Sequence, residues 1–420
     1  MKTIKINHIG KTEGHLGFEA TLGDGRMAEA RILTLEGARL MEGIVLNRHY
    51  YDVPIITARI CGVCPIVHNL GAIKALEMAM EVKPTEDILL LRRILNLGQW
   101  IHSHALHVFF LSFPDMIGIS NDFDLVRKYP KEAKLALSMR DWALRLCDVI
   151  GGRATHPINS VVGGFKVVPD KKELEKLKTE IDGAMQEALK IVGFVKKKAK
   201  VPKFWQETKF VGLKSKEYAH YDGNLFIGTM KKEIDPLQYH HVFHEYCFSG
   251  DTVKRVKIED ATFMVGSLAR INMSHGKLNP IAKSIWNSFK QKMPCYNSFF
   301  NCLAQAVEII HAFEELQKLL PKYLKIKNPD LLVSFKPKAG TGVGVIEAPR
   351  GTLIHFYELN NDGVVVYGNI ITPTAMFLAN LESDLKHLLP EVKNWQEEKQ
   401  KAMIRTLVRA YDPCISCATH

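Results

Sequence analysis

The sequence has no hydrophobic run long enough to cross a membrane. Its greasiest stretch, residues 105–119, is interrupted by His107, Ser112, Pro114 and Asp115, whereas a membrane-spanning helix needs about 20 apolar residues. The first seven residues alternate between polar and apolar side chains, and no apolar signal-peptide segment follows them. These absences predict a cytoplasmic protein.

The sequence also lacks the motifs of nucleotide-binding and nucleic-acid-binding proteins. No Gly-x-Gly-x-x-Gly follows a predicted strand, and there is no Walker motif. The net charge of +11 raises the question of nucleic acid, but no helix-turn-helix, zinc-finger or RNA-reading signature is present. Basic runs at residues 196–200 and 322–327 therefore indicate a solvated face, or a patch that meets an acidic partner subunit.

Internal repeats, low-complexity tracts and flexible linkers are missing as well, which predicts one integrated unit over residues 1–420. Apolar side chains alternate with period two over residues 2–36, around a turn signal at Gly23-Asp24-Gly25. Strand patterns return at about 204–248 and 343–371. We therefore expect a small antiparallel sheet at the N-terminus, a β-rich insertion in the middle and a β-hairpin before the C-terminal helices.

Helical periodicity fills the stretches between these sheets. The predicted helices cover residues 40–47, 65–79, 85–113, 131–150, 170–200, 279–292, 297–320, 376–388 and 392–410. The expected fold class is therefore α+β, with a mainly α-helical core bundle and small antiparallel sheets.

The sequence contains eight cysteines, which could suggest disulfides, but in a protein of this size without a secretion signal they are expected to stay reduced. Four of them form two Cys-x-x-Cys pairs, Cys61 with Cys64 and Cys414 with Cys417, which lie 353 positions apart. Four soft sulfur ligands predict a metal site, with zinc, an iron–sulfur cluster and nickel or iron all open. The remaining cysteines are predicted to be buried small hydrophobes: Cys147, Cys247, Cys295 and Cys302.

The surroundings of the two pairs favour a catalytic metal over a structural zinc. A structural zinc site joins pairs about 12 to 20 residues apart, far less than the separation here. Arg59, His68, Asp412 and His420 place charges and hydrogen-bond donors beside the sulfurs, as happens where the protein tunes a metal's electronic properties. Pro65 predicts that a helix begins directly after Cys64, where the helix dipole favours a thiolate.

Histidines outside these pairs give weaker signals. His102, His104 and His107 share a predicted core helix and could be either satisfied core residues or functional groups. The spacing of the histidines between residues 220 and 244 matches no standard zinc signature, which indicates surface or core positions.

Arg-x-Cys-Gly-x-Cys-x-x-x-His at residues 59–68 and Asp-Pro-Cys-x-x-Cys-x-x-His at residues 412–420 resemble the two signature motifs of the large, catalytic subunit of nickel–iron hydrogenases. The resemblance covers essentially the whole chain. It extends through these short segments: Thr12-Glu13-Gly14-His15, Ser103-His104-Ala105-Leu106-His107, Gly151-Gly152-Arg153, Glu347-Ala348-Pro349-Arg350-Gly351 and Thr372-Pro373-Thr374.

The resemblance implies reversible heterolytic cleavage of dihydrogen at a nickel–iron centre. Nickel would be bound by all four thiolates, with Cys61 and Cys414 as terminal ligands. Cys64 and Cys417 would also bridge to an iron that carries carbon monoxide and cyanide.

The resemblance also implies roles for the flanking residues. Cys414 would accept the proton from dihydrogen and Glu13 would pass it on. Arg350 would have a positioning and electrostatically stabilising role rather than act as the base, because a protonated guanidinium is hard to deprotonate. His68 would donate a hydrogen bond to a bridging cysteine, and Asp412 would pair with Arg350 or orient the loop.

A second metal ion, magnesium or iron, is implied near the C-terminus. Its ligands would be Glu42, His420 and a backbone carbonyl near Ile371. A chain that ends in histidine resembles the mature form of these subunits, which implies a maturation protease and nickel chaperones as partners.

Among hydrogenases, the chain resembles most the soluble cytoplasmic branch, because it is shorter than the large subunits of the membrane-attached enzymes. The implied partners are an iron–sulfur small subunit and further flavin or iron–sulfur subunits. Electrons would pass to NAD(P), ferredoxin, deazaflavin or heterodisulfide. Two alternatives stay open: a metal-free scaffold subunit of related fold, and a structural four-cysteine zinc protein.

Overall fold

The computed structural model describes residues 2–23, 26–218 and 220–420. Asp24 and Gly25, the centre of the predicted N-terminal turn, lie outside the described residues. The predicted α+β class is confirmed, since long helices alternate with small sheets along the chain. Among the described residues, no helix has the length and apolar character needed to cross a bilayer.

Three antiparallel strands begin the chain in the spatial order β1-β2-β3. They are β1 (Lys2–Ile9), β2 (Leu16–Gly23) and β3 (Arg26–Thr34). Alternation buries Ile4, Ile6 and Phe18 on one face, as the two-residue period of a strand requires. Glu13 lies in the connection between β1 and β2.

Helices dominate the next stretch. They are α1 (Met41–Val45), α2 (Val53–Thr57), α3 (Pro65–Ala79), α4 (Glu86–Leu106), α5 (Phe113–Met116), α6 (Asp122–Lys128) and α7 (Pro130–Gly151). Pro65 is the first residue of α3, as predicted, and the Thr85 hydroxyl caps α4 by accepting the Ile88 N–H at 3.3 Å. The helix continues past α4 as one π-helical segment, His107–Ser112, so the prediction of continuous helix to about residue 113 is confirmed with a wider last turn.

The middle of the chain contains one long helix and short strands. The elements are β4 (Ser160–Val161), β5 (Gly164–Phe165), α8 (Lys171–Lys198), β6 (Lys209–Lys214), β7 (Asn224–Ile227), β8 (Lys232–Ile234), β9 (Phe243–Tyr246), β10 (Arg255–Ile258) and β11 (Phe263–Met264). Strands continue to Met264, beyond the expected end at 248. β11 pairs with β6 in parallel, so this sheet, in the order β11-β6-β7-β8, is mixed.

The last part of the chain places a three-stranded antiparallel sheet between helices. The elements are α9 (Ser267–Ser274), α10 (Pro280–Asn287), α11 (Asn301–Leu324), β12 (Gly340–Ala348), β13 (Gly351–Leu359), β14 (Val365–Ile371), α12 (Pro373–Val392), α13 (Glu397–Ala410) and α14 (Ile415–Ala418). α9 lies in a stretch for which no helix was predicted. The turn between β12 and β13 consists of Pro349 and Arg350.

Helix α3 lies unusually close to strand β12, because glycines alternate along the first five residues of that strand. A Cβ atom on Gly340, Gly342 or Gly344 would lie only 2.0–2.1 Å from a backbone oxygen of α3. The missing side chains therefore let the helix rest on the strand itself. This contact holds the middle and the end of α3 on the sheet, and so positions the helix that Cys64 precedes and that carries His68.

One large cluster of buried apolar residues extends from Ile4 to Ala418 and includes all four paired cysteines. Among the other cysteines, Cys147, Cys295 and Cys302 are buried, as predicted. The prediction of burial is wrong for Cys247, which is exposed. It follows β9 in the turn that leads to β10, and a two-stranded sheet is too small to cover that turn.

Candidate metal centre

The first cysteine pair lies where a short helical turn, Ala58–Ile60, meets the start of α3. Cys61 has an extended backbone and Cys64 immediately precedes Pro65. The backbone N–H groups of Val63 and Cys64 donate to the Cys61 sulfur at 3.3 and 3.4 Å. Such donors stabilise a negatively charged sulfur, so this loop is built to hold a thiolate.

In the second pair, Cys414 directly precedes α14 and Cys417 lies on it. Backbone contacts hold this segment against the start of the chain. Asp412 adopts a left-handed conformation, with φ of 55°, and turns the chain into the cysteine loop. The Cys414 N–H donates to the Thr374 hydroxyl at 3.0 Å, and the Ile415 N–H donates to the Glu13 carbonyl at 2.9 Å. Residues from both ends of the sequence therefore meet at this loop.

The two pairs come together as one cluster, and this confirms the prediction of a four-cysteine site. The four sulfurs lie within 4.8 Å of one another, and all four residues are buried. Cys61 and Cys414 are 3.4 Å apart, as are Cys64 and Cys417. Burial raises the pKa of Cys414 and of Cys417 well above the ordinary thiol value. Four thiolates could coexist here only around a cation, and soft sulfur donors suit transition metals.

Glu13 lies against the second pair. Its Oε2 accepts a hydrogen bond from the Cys414 thiol at 2.9 Å, and its Oε1 accepts one from the Ser416 hydroxyl at 2.7 Å. Burial raises the pKa of this carboxyl above its usual value, with the charge of Cys61 adding to the effect. A partly buried carboxyl with a raised pKa, in contact with a thiol, is suited to exchanging a proton with that thiol.

Arg350 projects from the β12–β13 turn and is fixed by Asp412. Its Nε donates to the Asp412 carbonyl at 2.9 Å, and its Nη2 lies 3.0 Å from Asp412 Oδ1. The Gln305 amide donates to the other carboxylate oxygen at 3.0 Å. Although burial alone would lower it, the Asp412 carboxylate and the cysteine sulfurs raise the pKa of Arg350 well above its usual value. Its Nη1 is buried and has no partner among the described residues, so a charged N–H remains available for a ligand.

The histidines divide between the metal cluster and its support. His68 Nε2 lies 3.5 Å from the Cys417 sulfur, and burial lowers the pKa of His68 to about 3. The histidines of α4 and of the π-helical segment after it contact polar groups of the core: His102 contacts Gln99, His104 contacts Glu308 and His107 contacts Gln305. Because Gln305 also donates to Asp412, the position of His107 indicates support of the site.

The residues predicted to bind the second ion lie together beside α14. His420 Nε2 lies 2.7 Å from the carbonyl oxygen of Ile370, one residue before the expected Ile371, and 3.9 Å from Glu42 Oε1. The Ile370 N–H also donates to Glu42 Oε1 at 2.8 Å. Lys254 Nζ contacts both Glu42 carboxylate oxygens at 2.8 Å. A carboxylate, a carbonyl and an imidazole thus converge on one small volume.

Arg39 joins the two cysteine loops, and sequence analysis missed it. Its guanidinium donates to the carbonyls of Ile60 and Arg59, at 2.5 and 2.8 Å, and to that of Ser416 at 3.4 Å. The backbone N–H of Arg39 donates to the Thr419 carbonyl at 2.7 Å. Arg59, which the motif includes, instead donates outward to the Ile55 carbonyl at 2.9 Å.

Arg270 on α9 supports the Arg350 turn and was also missed. Its guanidinium forms ion pairs with Glu308 at 2.7 Å and Glu347 at 2.8 Å. It also donates to the carbonyls of Ala348 and Pro349, the two residues before Arg350, at 3.0 and 3.1 Å. The only sequence signal was a lone arginine between apolar residues in a stretch without a motif.

Comparison with known proteins gives one consistent result. The family model described as nickel-dependent hydrogenase matches residues 39–135 and 218–420. Sulfhydrogenase 1 subunit alpha of Pyrococcus furiosus is 33% identical over 99% of this chain and 97% of its own length. The HoxS subunit beta of the NAD-reducing hydrogenase from Cupriavidus necator is 26% identical over 100% and 95%. A crystal structure of an NAD+-reducing NiFe-hydrogenase in the H2-reduced state superposes with a TM-score of 0.90 at 25% identity, covering 100% of both chains.

Proposed function

Because this chain belongs to the nickel-dependent hydrogenase family, we propose that its four cysteines hold the nickel–iron centre at which dihydrogen is reversibly cleaved into protons and electrons. The observation that carries the proposal is the cluster of four buried sulfurs within 4.8 Å. The donor set fits the group, since thiolates bind nickel and iron well. When bound, the metal pair supplies Lewis-acid and redox chemistry.

Cys61, Cys64, Cys414 and Cys417 would bind nickel, and Cys64 and Cys417 would also bind an iron with carbon monoxide and cyanide ligands. The unpartnered Nη1 of Arg350 supports this assignment, because a buried charged donor without a protein acceptor points to a ligand that accepts. The protonated guanidinium would stabilise negative charge at the site, and Asp412 holds it in place.

Protons would leave through Cys414 and Glu13. The 2.9 Å contact between the Cys414 sulfur and Glu13 Oε2 allows a direct proton transfer. The raised pKa of Glu13 increases the affinity of its carboxylate for that proton. The Ser416 hydroxyl and N–H orient the carboxylate by donating to its two oxygens. The His68 N–H would donate to Cys417.

A magnesium or iron ion would bind Glu42, the Ile370 carbonyl and His420. The 2.7 Å separation between His420 Nε2 and the Ile370 oxygen fits neighbouring positions around a small cation, whose ligands lie about 2.0–2.1 Å from the ion. The 3.9 Å between His420 Nε2 and Glu42 Oε1 still allows both atoms to reach the same ion. Lys254 would share the charge of Glu42 with that ion. The ion would fix α14, and with it Cys414 and Cys417.

Electrons would leave through an iron–sulfur small subunit and further electron-transfer subunits. The cysteines outside the cluster form no Cys-x-x-Cys pair that could hold an iron–sulfur cluster in this chain. Named relatives are subunits of hydrogenase complexes, and one of them reduces NAD. We propose a cytoplasmic complex that uses NAD(P), ferredoxin, deazaflavin or heterodisulfide as acceptor, with a maturation protease and nickel chaperones assisting assembly.

Metal analysis of the purified complex tests this function. About one nickel per chain with iron, together with infrared bands of metal-bound carbon monoxide and cyanide, is the expected result. Zinc alone would identify a structural four-cysteine protein, and no metal would identify a scaffold subunit. Cys61→Ala should lose nickel, whereas Cys302→Ala, which changes a buried cysteine outside the cluster, should retain it.

A further inference from the structure

Three buried side chains form a line of hydrogen-bonding groups that leads away from Cys417. His68 Nε2 lies 3.5 Å from the Cys417 sulfur, and His68 Nδ1 lies 3.3 Å from His355 Nε2. His355 Nδ1 in turn lies 2.8 Å from the Tyr357 hydroxyl. We call His68, His355 and Tyr357 the histidine–tyrosine chain. None of its side chains is more than 1% exposed.

The fold places these three residues in register. His68 lies in the first turns of α3, and His355 and Tyr357 are two positions apart on β13, so their side chains project from the same face. Gly71 on α3 makes room for the His355 ring, because a Cβ atom there would lie 2.9 Å from His355 Cδ2. The close packing of α3 on the sheet thus brings the rings together.

The two ends of the histidine–tyrosine chain determine the direction of its hydrogen bonds. A neutral imidazole has one N–H donor and one acceptor nitrogen, so the protons of both rings must be arranged in the same sense. Cys417, as a metal-bound thiolate, has no proton and can only accept. Tyr357 has no other hydrogen-bond partner among the described residues. In the opposite sense its buried O–H would therefore donate to nothing.

The arrangement that satisfies both ends has every hydrogen bond donated in the direction from Tyr357 to Cys417. The Tyr357 O–H donates to His355 Nδ1, His355 Nε2–H donates to His68 Nδ1, and His68 Nε2–H donates to Cys417. Burial also lowers the pKa of His355 well below its ordinary value, which agrees with a neutral ring that has a single proton.

We propose that Tyr357 is a positioning residue that selects the tautomers of His355 and His68, and so keeps an N–H donor on the Cys417 sulfur. The inference rests on the proposed function, since it takes Cys417 to be a metal ligand. A hydrogen bond to a ligand sulfur withdraws electron density from it and tunes the attached metal. Tyr357 would thereby influence the metal centre through two intervening rings.

The variant Tyr357→Phe in the assembled hydrogenase complex tests the role of the hydroxyl. Without it, His355 Nδ1 has no donor, so the reverse tautomers become accessible and Cys417 loses its N–H in part of the molecules. The expected result is an infrared carbon monoxide band that shifts to lower wavenumber or splits, because a more electron-rich sulfur donates more charge to the metal. An unchanged band, or a shift to higher wavenumber, would overturn the proposal.

Tyr323→Phe is the matched control. Tyr323 on α11 is fully buried, and its hydroxyl has no hydrogen-bond partner among the described residues. The control removes the same atom from a core tyrosine and should leave the infrared band in place. A band that moved equally in both variants would assign the shift to packing and contradict a specific role for Tyr357.

Neutron diffraction of the unmodified complex, exchanged into heavy water, decides the question even if Tyr357→Phe does not assemble. Deuterium is expected on Nε2 of both His68 and His355, with the Tyr357 O–D directed at His355 Nδ1. Deuterium on His68 Nδ1 would overturn the proposal. Absence of nickel and of infrared bands in the unmodified complex would instead contradict the proposed function, so the two failures are distinguishable.

Discussion

At the scale of single residues, Glu13 owes its position to the backbone on both sides of the site. Its backbone carbonyl accepts a hydrogen bond from the Ile415 N–H at 2.9 Å. This contact holds the residue against the second cysteine pair independently of its side chain. The carboxylate then contacts Cys414 with one oxygen and the Ser416 hydroxyl with the other. A group fixed in this way can accept a proton from the thiol without moving.

Replacing Glu13 by glutamine tests the proton route. The amide has nearly the same size and retains hydrogen bonding to Cys414 and Ser416, but it cannot take up a proton. Because a positioned acid or base contributes about 10²- to 10⁴-fold, we expect hydrogen oxidation with methyl viologen to fall at least about 10²-fold. Nickel content and infrared bands should be retained. Glu19→Gln on β2 is the control, and equal turnover in both variants would remove Glu13 from the route.

Asp384 gives the stability of the fold a pH dependence. Its Oδ2 accepts hydrogen bonds from the hydroxyls of Tyr411 and Ser298, each at 2.5 Å. Burial raises the pKa of Asp384 to about 7, whereas the unfolded chain has an ordinary carboxyl. Between about pH 4 and pH 7 the folded state therefore binds more protons, and this group's contribution to stability falls as pH rises, by up to ~1.4 kcal/mol per pH unit.

Asp384→Asn should remove that dependence, since an amide does not titrate. We expect the free energy of unfolding of the unmodified chain, measured with urea, to decrease more between pH 5 and pH 7 than that of the variant. The same slope in both proteins would contradict the assignment. Tyr411, which donates to Asp384, directly precedes Asp412. The stability of the variant therefore also shows how far this hydrogen bond supports the cysteine loop.

The sequence predicted the clustered cysteines, because their motifs are local patterns of chemistry. The roles of Glu13, Glu42, Arg350 and His420 stay predictions, although the structure places each beside the expected neighbours. Arg39 and Arg270 could not be predicted, because their partners are mainly backbone carbonyls and carboxylates distant in sequence. A side chain that binds distant groups leaves no periodic signal at its own position.

At the scale of elements, the contact between α3 and β12 determines where half of the metal centre lies. α3 carries Cys64 at its start and His68 in its first turns, and it rests on a strand whose inner face has no side chains at Gly340, Gly342 and Gly344. The strand pattern was visible from residue 343, and alternating glycines indicate close backbone approach. The sequence could not predict that α3 is the helix that approaches this strand, since no local pattern identifies which helix covers a strand.

Gly342→Ala tests this contact. Its Cβ atom would lie 2.0 Å from the Ala75 oxygen and 2.4 Å from the Ala79 nitrogen, so α3 would have to move away from the sheet. We expect a loss of about 1–3 kcal/mol in the free energy of unfolding and a lower nickel content, because Cys64 moves with the helix. Urea unfolding and metal analysis measure the two effects.

The control for this change is Gly183→Ala on α8, where a Cβ atom would meet nothing within 4 Å. Alanine is a better helix former than glycine, so this variant should gain up to about 1 kcal/mol. If Gly342→Ala were as stable as the unmodified chain, the proposed close packing of α3 would be contradicted.

At the scale of the whole molecule, the metal centre depends on contacts between the two ends of the chain. The N-terminal β1–β2 connection, the start of α3 and α14 all meet at the four sulfurs. The overall α+β class was predictable because periodicity identifies strands and helices one at a time. That the chain is one integrated unit stays a prediction, and loss of metal during unfolding can test it.

Nickel release and unfolding should occur together in a denaturant titration. Binding at a site that exists only in the folded chain contributes directly to folding stability. We expect nickel captured by a chromogenic chelator and loss of helical circular dichroism to follow the same curve. Release in a separate, earlier transition would show that one cysteine loop opens independently and would contradict a single unit.

The separation of 353 positions between the cysteine pairs also has a consequence for biosynthesis. Protein synthesis proceeds from the N-terminus, so of the four paired cysteines a growing chain contains only Cys61 and Cys64 until residue 414 has been translated. A product that terminates prematurely, after Cys64 but before Cys414, carries half of the proposed ligand set and cannot complete the four-sulfur cluster. Under the proposed function, we therefore expect such truncated chains to retain no nickel–iron centre.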